Sequence, residues 1–307
     1  MKIVTSGKPY LDIDAYASCI AYQELLNLKG MPAIAVSSSQ WNESISPTVR
    51  MWGAPLTVMY NDAEDDSFVL VDVSDPDSLD EVVKVEKVEE VIDHHTGYEE
   101  FWRTKLGEKA DLQFIGAACT MVYERFRDSG LLLSISELSS RLLITGILDN
   151  TLNFKAQVTS DRDHEAFNAL LPKAHLPQDW PRQYFSECQA SIESDLGLAI
   201  RNDVKSMVFP FAKFPIRFAQ LTIWDGRELL QKRKEELMKA LNQMYNSWIL
   251  NIISITEGKS YVVSPDPKLQ EPFSKLLGVT FFDSLAVCDR LWLRKEMSKA
   301  AQEGGVK

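Results

Sequence analysis

The sequence lacks long hydrophobic runs and an apolar leader. None of its apolar runs approaches the roughly 20 residues that span a bilayer, so no membrane-spanning segment is expected. The first residues, MKIVTSGKPYLDID, become acidic too early for a secretory signal. The expectation is therefore a cytoplasmic protein with no membrane partner.

Paired cysteines are also missing. The four cysteines lie far apart and form no C-x-x-C pair: Cys19, Cys119, Cys188 and Cys288. This spacing argues against a zinc ribbon or a disulfide framework and favours reduced, mostly buried thiols. A Walker-type phosphate loop is absent, and no serine or cysteine stands in a recognisable nucleophile elbow.

Positive charge is scarce, because 33 Lys and Arg residues face 44 Asp and Glu residues, for a formal net charge of -11. A surface of this sign disfavours duplex nucleic acid as a partner. A phosphate-bearing small molecule could still bind where metal and a few basic residues line one cleft. The 307 residues, 45% of them hydrophobic, suit two domains with apolar cores.

The first half alternates apolar runs of strand length with longer runs of helical periodicity. Strands are predicted at residues 2–5, 33–36, 68–71 and 88–92, and helices at 15–28, 117–126 and 135–148. The run at 68–71 is continuously apolar and is stopped by Asp72, which is typical of a buried parallel strand, and the run at 88–92 leads into Asp93 in the same way. The pattern predicts an α/β fold with a parallel sheet covered on both faces.

The pattern of predicted helices and strands changes after the stretch at 172–181, which contains three prolines and has little periodicity. Helices are predicted at 185–201 and 226–245, and single strands at 248–256, 261–264 and 279–282. Residues 209–223 are predicted to form two strands joined by a turn near 213–215. A linker near residues 186–194, or a little earlier, would divide a first domain, 1–185, from a second, 195–307.

Acidic residues and two histidines cluster where the predicted strands and helices end. The candidates are Asp12, Asp14, Asp72, Asp93, His94, His95 and Asp149. Because the carboxyl ends of parallel strands converge on one edge of a sheet, these side chains would meet in one cleft. Hard oxygen donors with one imidazole suit manganese, magnesium or a related divalent ion, which can activate water against phosphorus.

Each candidate alone has an ordinary structural explanation. Asp12 could cap a helix, Asp72 could belong to a turn, the histidine pair could be structural, and Asp149 could end a helix. Only their joint occurrence favours a metal centre.

Residues 91–97, VIDHHTG, resemble the signature of the DHH phosphoesterase superfamily. Three further segments match that superfamily in order and spacing: GKPYLDIDA at 7–15, LVDVSD at 70–75 and GILDNTLNFK at 146–155. Within the superfamily the chain is similar to the manganese-dependent family II inorganic pyrophosphatases and their exopolyphosphatase relatives. The Gly-Gly-His motif of the other branch is absent.

The resemblance implies a role for each matched residue. The implied metal ligands are Asp12, Asp14, Asp72, His94 and Asp149, with Asp72 in the bridging position. His95 would face the substrate as a catalytic donor. The segment GAACTMVYE at 116–124 looks like the family's small-residue loop near the phosphates.

The second half also resembles the pyrophosphatase branch. NDVKSM at 202–207 looks like the segment whose lysine, here Lys205, reaches the substrate, and Arg294 and Lys295 match a phosphate-clamping motif. The resemblance implies a metal-binding catalytic domain followed by a smaller, mixed-sheet, DHHA2-like substrate-binding domain, with the active site in the cleft between them. It also implies a homodimer formed through an edge strand of the first sheet.

Two positions depart from the family pattern. Lys8 stands where the family has a histidine ligand, and a protonated lysine has no lone pair to give a metal. We expect Lys8 to place a fixed positive charge where one metal would sit, to help bind the substrate, and to leave one tight metal site rather than two. Val73-Ser74 replaces the His-Asn that pyrophosphatases carry after Asp72.

These features predict a hydrolase of the pyrophosphatase or exopolyphosphatase type that uses Mn²⁺, or Mg²⁺ or Co²⁺. A metal-bound water would attack a phosphoanhydride, while His95, Lys205, Arg294 and Lys295 neutralise phosphate oxygens. Two alternatives stay open at this point. One is a phosphodiesterase or phosphatase for a nucleotide or other small phosphate ester, and the other is a catalytically lapsed phosphate-binding protein, motivated by Lys8.

Overall fold

The apolar runs of the first half form a parallel sheet. The structure, a computed structural model, describes residues 1–8, 10–61 and 63–304. The strands of the first half are β1 Lys2–Thr5, β2 Tyr10–Leu11, β3 Ala33–Val36, β4 Gln40–Trp41, β5 Leu56–Thr57, β6 Ser67–Val71, β7 Val88–Asp93 and β8 Ala110–Leu112. Six of them form the parallel sheet in the order β5-β3-β1-β6-β7-β8. Strands β2 and β4 pair separately. The predicted parallel sheet is confirmed.

Helices follow or separate these strands. They are α1 Ile13–Leu28, α2 Pro47–Met51, α3 Glu99–Leu106, α4 Ala118–Asp128, α5 Glu137–Asn150, α6 Asp161–Ala174 and α7 Trp180–Ser194. Short 3₁₀ turns lie at Pro76–Ser78, Val85–Lys87, Gly107–Lys109 and Leu132–Ser134. Helix α1 is buried over most of its length, because it packs among α4, α5 and β3. This explains why its apolar residues are not confined to one face.

A glycine permits the close approach of α5 to α1 and α4. A Cβ atom on Gly146 would lie 2.4 Å from the Cys119 Sγ and 3.3 Å from the Asp14 Cα. No side chain fits at these distances without displacing one of the helices. Gly146 therefore helps to set where Asp14 lies.

The chain divides into two units, the first made of residues 1–154 and 158–184, and the second of 155–157 and the chain from 185 onward. The elements of the second unit are α8 Leu196–Asp203, β9 Lys205–Met207, β10 Ile216–Ile223, α9 Gly226–Met244, β11 Trp248–Ser254, β12 Lys259–Val263, α10 Pro267–Leu277, β13 Leu285–Cys288 and α11 Arg294–Gln302. Its five strands form a mixed sheet of order β13-β12-β11-β10-β9, in which β10 and β11 are parallel and the other neighbouring strands are antiparallel. Separate apolar clusters cover its two faces. The predicted α/β class with a mixed second sheet is confirmed.

Three local predictions are wrong. Residues 186–194, predicted as a linker, lie in α7, because Pro181 stands in the first turn of that helix, where proline is tolerated. The first strand predicted within 209–223 lies earlier, at β9, since Phe209 packs in an aromatic cluster from a loop. The strand predicted at 279–282 is also a loop, in which Val279 and Phe281 pack against the core, and the edge strand that follows in sequence is β13.

Among the described residues, no helix combines the length and the apolar character that crossing a bilayer requires.

Candidate metal centre

Three side chains from separate elements converge at the carboxyl edge of the parallel sheet. Asp14 lies in the first turn of α1, Asp72 directly follows β6, and His94 directly follows the neighbouring strand β7. The His94 Nε2 lies 3.1 Å from Asp72 Oδ1 and 3.6 Å from Asp14 Oδ2. All three residues are buried. The topology thus brings together three of the five predicted ligands.

The orientation of His94 makes the group suitable for a cation. Its Nδ1 lies 3.2 Å from the Ile115 carbonyl oxygen, and because a carbonyl only accepts, Nδ1 must carry the proton. The Nε2 lone pair of the neutral ring then points at two carboxylates, an arrangement that a cation stabilises. When two donor atoms each lie about 2.1 Å from one divalent ion, with a donor–metal–donor angle of about 90–120°, the two donor atoms are about 3.0–3.6 Å apart. The observed spacings fit that range.

Asp14 is held by the amino terminus of α4. The Ala118 N–H donates to Asp14 Oδ2 at 2.9 Å, and the Cys119 N–H donates to Asp14 Oδ1 at 2.8 Å. Burial raises the pKa of Asp14 to about 6, because desolvation disfavours the carboxylate more than the N–H donors favour it. A bound cation would favour the charged form.

Asp72 is fixed by its backbone. Its φ of 57° lies in the left-handed region, which aspartate tolerates better than most residues. Its N–H donates to the Ile92 carbonyl at 2.9 Å. Two residues later, the Ser74 carbonyl accepts a 2.6 Å hydrogen bond from the Trp102 Nε1. The turn that carries Asp72 is therefore held by both β7 and α3.

Asp93 and His95 form a dyad beside this group. Asp93 Oδ1 accepts from the N–H groups of His94 and His95, and it lies 2.9 Å from the His95 Nδ1. Burial acts to raise the pKa of Asp93, but the charge and hydrogen bond of His95 outweigh it and hold the pKa below its usual value. Donor atoms of Asp72, His94 and His95 all lie within 4.8 Å of one another. His95 is the exposed member, at 41%.

The other two predicted ligands occupy neighbouring helix ends. Asp149 lies in the last turn of α5, three residues and thus about one turn beyond Gly146. Its Oδ1 lies 2.9 Å from the Tyr184 hydroxyl. Asp12 caps α1, since its Oδ1 accepts from the Ala15 N–H at 3.0 Å. The helix-cap explanation of Asp12 is thus correct for one of its oxygens.

Lys8 and Val73, the two departures from the family pattern, lie on adjacent segments. Gly7 forms a bridge with Leu79, and the Lys8 N–H donates to the Ser78 carbonyl at 2.8 Å, while the Lys8 side chain is exposed. A Cβ on Gly7 would lie 3.1 Å from a methyl of Val73. The buried valine therefore packs closely against the segment that carries Lys8.

The predicted basic residues belong to the second unit. Lys205 begins β9 and pairs with Phe218. Arg294 begins α11, where its Nη1 and Nη2 lie 2.9 and 3.2 Å from the two carboxylate oxygens of Asp203. Lys295 follows it and is half-buried. The Arg294–Asp203 pair gives this guanidinium a partner that the sequence does not predict.

Three supporting groups were not predicted from the sequence. They are the Ile115 carbonyl, the Trp102 indole and the Tyr184 hydroxyl, which contact His94, Ser74 and Asp149 respectively. The small-residue segment at 116–124 is predicted to lie near the phosphates. In the structure the N–H groups of Ala118 and Cys119, within this segment, bind Asp14. No sequence signal marks the two aromatic residues.

Comparison with known proteins places this site in a family context. Residues 2–147 match the DHH family, N-terminal domain. A Lactobacillus helveticus protein named "Probable manganese-dependent inorganic pyrophosphatase" is 27% identical over 284 residues, which cover 89% of this chain and 88% of that protein. A Bacillus licheniformis protein of the same name is 24% identical over 308 residues, covering 96% of each chain.

The fold has a counterpart among solved structures. The crystal structure of a Methanococcus jannaschii protein assigned to the family II inorganic pyrophosphatases matches with a TM-score of 0.76. The match covers 98% of this chain and 100% of that one, at 19% sequence identity. At that identity the match establishes the fold.

Proposed function

We propose that the chain, whose residues 2–147 match the DHH family, is of the family II inorganic pyrophosphatase type and acts as a manganese-dependent hydrolase of phosphoanhydrides. Inorganic pyrophosphate and short polyphosphates are the proposed substrates. The names of the curated relatives support manganese as the metal. The predicted cytoplasmic location and homodimer stay predictions.

One observation carries the proposal. His94 turns its Nε2 toward Asp72 and Asp14 while the Ile115 carbonyl fixes its Nδ1 as a donor. We propose that Asp14, Asp72, His94 and Asp149 hold the metal, with Asp12 as a partial ligand. When bound, a divalent ion supplies Lewis-acid activation of water and neutralises phosphoryl oxygens.

The remaining residues would bind the substrate and handle protons. Because Asp93 fixes the Nδ1 of His95, the exposed imidazole can direct its Nε2 toward a phosphoryl oxygen and hold or donate a proton there. Lys205, Arg294 and Lys295 are proposed to neutralise the other phosphate oxygens. Asp203 would orient the Arg294 guanidinium. Lys8 is proposed to add a further charge beside the substrate.

A substrate panel tests the proposal. Metal-free protein is loaded with Mn²⁺, Mg²⁺ or Co²⁺ and offered pyrophosphate, tripolyphosphate, nucleotides and a phosphate monoester, and phosphate release is measured. We expect hydrolysis of pyrophosphate or tripolyphosphate with Mn²⁺ and none after chelation. Preference for a nucleotide or an ester would instead favour the phosphodiesterase or phosphatase alternative, which is motivated by Val73 in place of the histidine that pyrophosphatases carry after Asp72. If the protein binds Mn²⁺ but hydrolyses none of these compounds, the result would favour a catalytically lapsed phosphate-binding protein.

We further propose that each chain binds one Mn²⁺ tightly. The reason is that Lys8 supplies a charged ammonium in place of an imidazole lone pair, and Val73 supplies only methyl groups. Metal analysis of dialysed protein should give one ion per chain. The double variant Lys8→His with Val73→His should bind a second, whereas Lys8→Arg should not. Two tightly bound ions in the wild-type chain would contradict this prediction.

A further inference from the structure

Two candidate ligands take their orientation from one short segment. The Ile115 carbonyl accepts from the His94 Nδ1, and the Ala118 and Cys119 N–H groups donate to the two oxygens of Asp14. His94 follows a strand and Asp14 opens a helix, so the two ligands share no local structure. Residues 115–119 are therefore a common support, whose position sets both side chains at once.

This segment has no cap of its own. The residue that precedes α4 is Ala117, whose side chain cannot accept a hydrogen bond from the first turn. Asp14 accepts two of the N–H groups of that turn from outside the helix. Side chains from other elements therefore contribute to the position of residues 115–119.

Asp163 of α6 supplies that attachment. Its Oδ1 accepts a 2.6 Å hydrogen bond from the Thr120 hydroxyl, in the first turn of α4. On the other side its carboxylate lies against Gly116, where a Cβ would come within 2.5 Å of Oδ2. Asp163 is fully buried and so contacts both flanks of the supporting segment.

Asp163 is itself held in place. Its Oδ2 accepts from the Ser160 N–H and from the Ser160 hydroxyl, each at 2.8 Å. This is a capping box at the start of α6, in which aspartate takes the position usually held by glutamate or glutamine. One oxygen thus serves its own helix and the other serves α4.

We propose that Asp163 is a positioning residue for the metal centre, acting through Thr120 and Gly116 on residues 115–119 and from there on His94 and Asp14. The inference rests on the proposed function, since it requires that these two side chains bind metal. Among the described residues, the hydrogen bonds of Asp163 are to Thr120 and Ser160 rather than to His94 or Asp14, and we do not propose it as a metal ligand.

Two hydroxyl deletions separate positioning from helix stability. Thr120→Val removes the bond that links Asp163 to α4, and Ser160→Ala removes a bond that serves only the capping box. Each takes one donor from the same carboxylate, so the two variants are matched. Thr120→Ser restores the hydroxyl. Mn²⁺ affinity is measured by calorimetric titration of metal-free protein, with the melting temperature recorded in parallel.

We expect Thr120→Val to weaken Mn²⁺ binding by about 10-fold, the lower end of the loss typical of removing a hydrogen-bond partner of a metal ligand, because Thr120 acts on the ligands through residues 115–119. Thr120→Ser should bind close to wild type, and Ser160→Ala should melt earlier with unchanged affinity. Equal affinities for Thr120→Val and wild type would overturn the inference, as would an equal loss in Ser160→Ala. If wild-type protein binds no Mn²⁺, the proposed function itself fails, and this inference with it.

Discussion

Replacing His94 by glutamine should abolish tight Mn²⁺ binding and lower phosphoanhydride hydrolysis by about 10²–10³-fold, the loss that follows removal of one preorganised electrostatic group. Glutamine has no imidazole lone pair, and its amide cannot reproduce the contact between Nδ1 and the Ile115 carbonyl together with an Nε2 facing Asp72. The two carboxylates would then face each other with one fewer ligand to share a cation. Manganese titration and phosphate release measure the two effects separately.

His175→Gln is the matched control for this variant. His175 belongs to the same unit, is 67% exposed and pairs with Glu137 at the surface. The same chemical change there should leave Mn²⁺ affinity and hydrolysis unchanged. If the His94 variant kept wild-type affinity, His94 would not be a ligand, and the proposal would lose the observation that carries it.

The parallel sheet could be predicted because burial on both faces leaves a strong local signal. The run at 68–71 is apolar at every position and is followed at once by Asp72, so the strand and the start of the site appear together. Strand β7 contains Glu89 and Glu90, but Val91 and Ile92, directly before Asp93, are apolar and buried. Because parallel strands end at one edge, these two signals were enough to predict that Asp72 and His94 meet.

The strands of the second unit were harder to place because apolar residues there also occur in loops. Phe209 is buried by the aromatic rings of Phe218 and Phe273, and no strand is needed to bury it. Strand β9 has only three residues and contains Lys205 and Ser206, so it has no apolar run to reveal it. Short edge strands depend on pairing, which composition does not encode.

The support of the site could not be predicted because it depends on contacts between distant segments. The Ile115 carbonyl has no side-chain identity, so its bond to His94, 21 residues away, leaves no mark in the sequence. The pairing of Arg294 with Asp203 spans 91 residues. A basic residue in a phosphate-clamp motif predicts an anion as its partner, but it does not predict which anion the fold provides.

The largest stability effect is expected at Trp102, which anchors the turn after Asp72. Its ring is fully buried in the cluster that includes Phe68, Leu70 and Val73, and its Nε1 donates to the Ser74 carbonyl at 2.6 Å. Trp102→Ala should lower the free energy of unfolding by about 3–5 kcal/mol, the usual loss for a large aromatic side chain. At about 2–4 °C per kcal/mol, the melting temperature should fall by about 6–20 °C. Circular dichroism measures this without relying on tryptophan fluorescence.

Trp102→Phe separates the packing of the ring from its hydrogen bond. Phenylalanine keeps much of the apolar ring but leaves the Ser74 carbonyl without its indole donor, so we expect a loss of about 1–3 kcal/mol. The loop that carries Asp72 would then keep its backbone bond to Ile92 while losing its attachment to α3. If the phenylalanine variant were as unstable as the alanine variant, the hydrogen bond would outweigh the packing. If it matched the wild type, the indole N–H would contribute nothing to the turn.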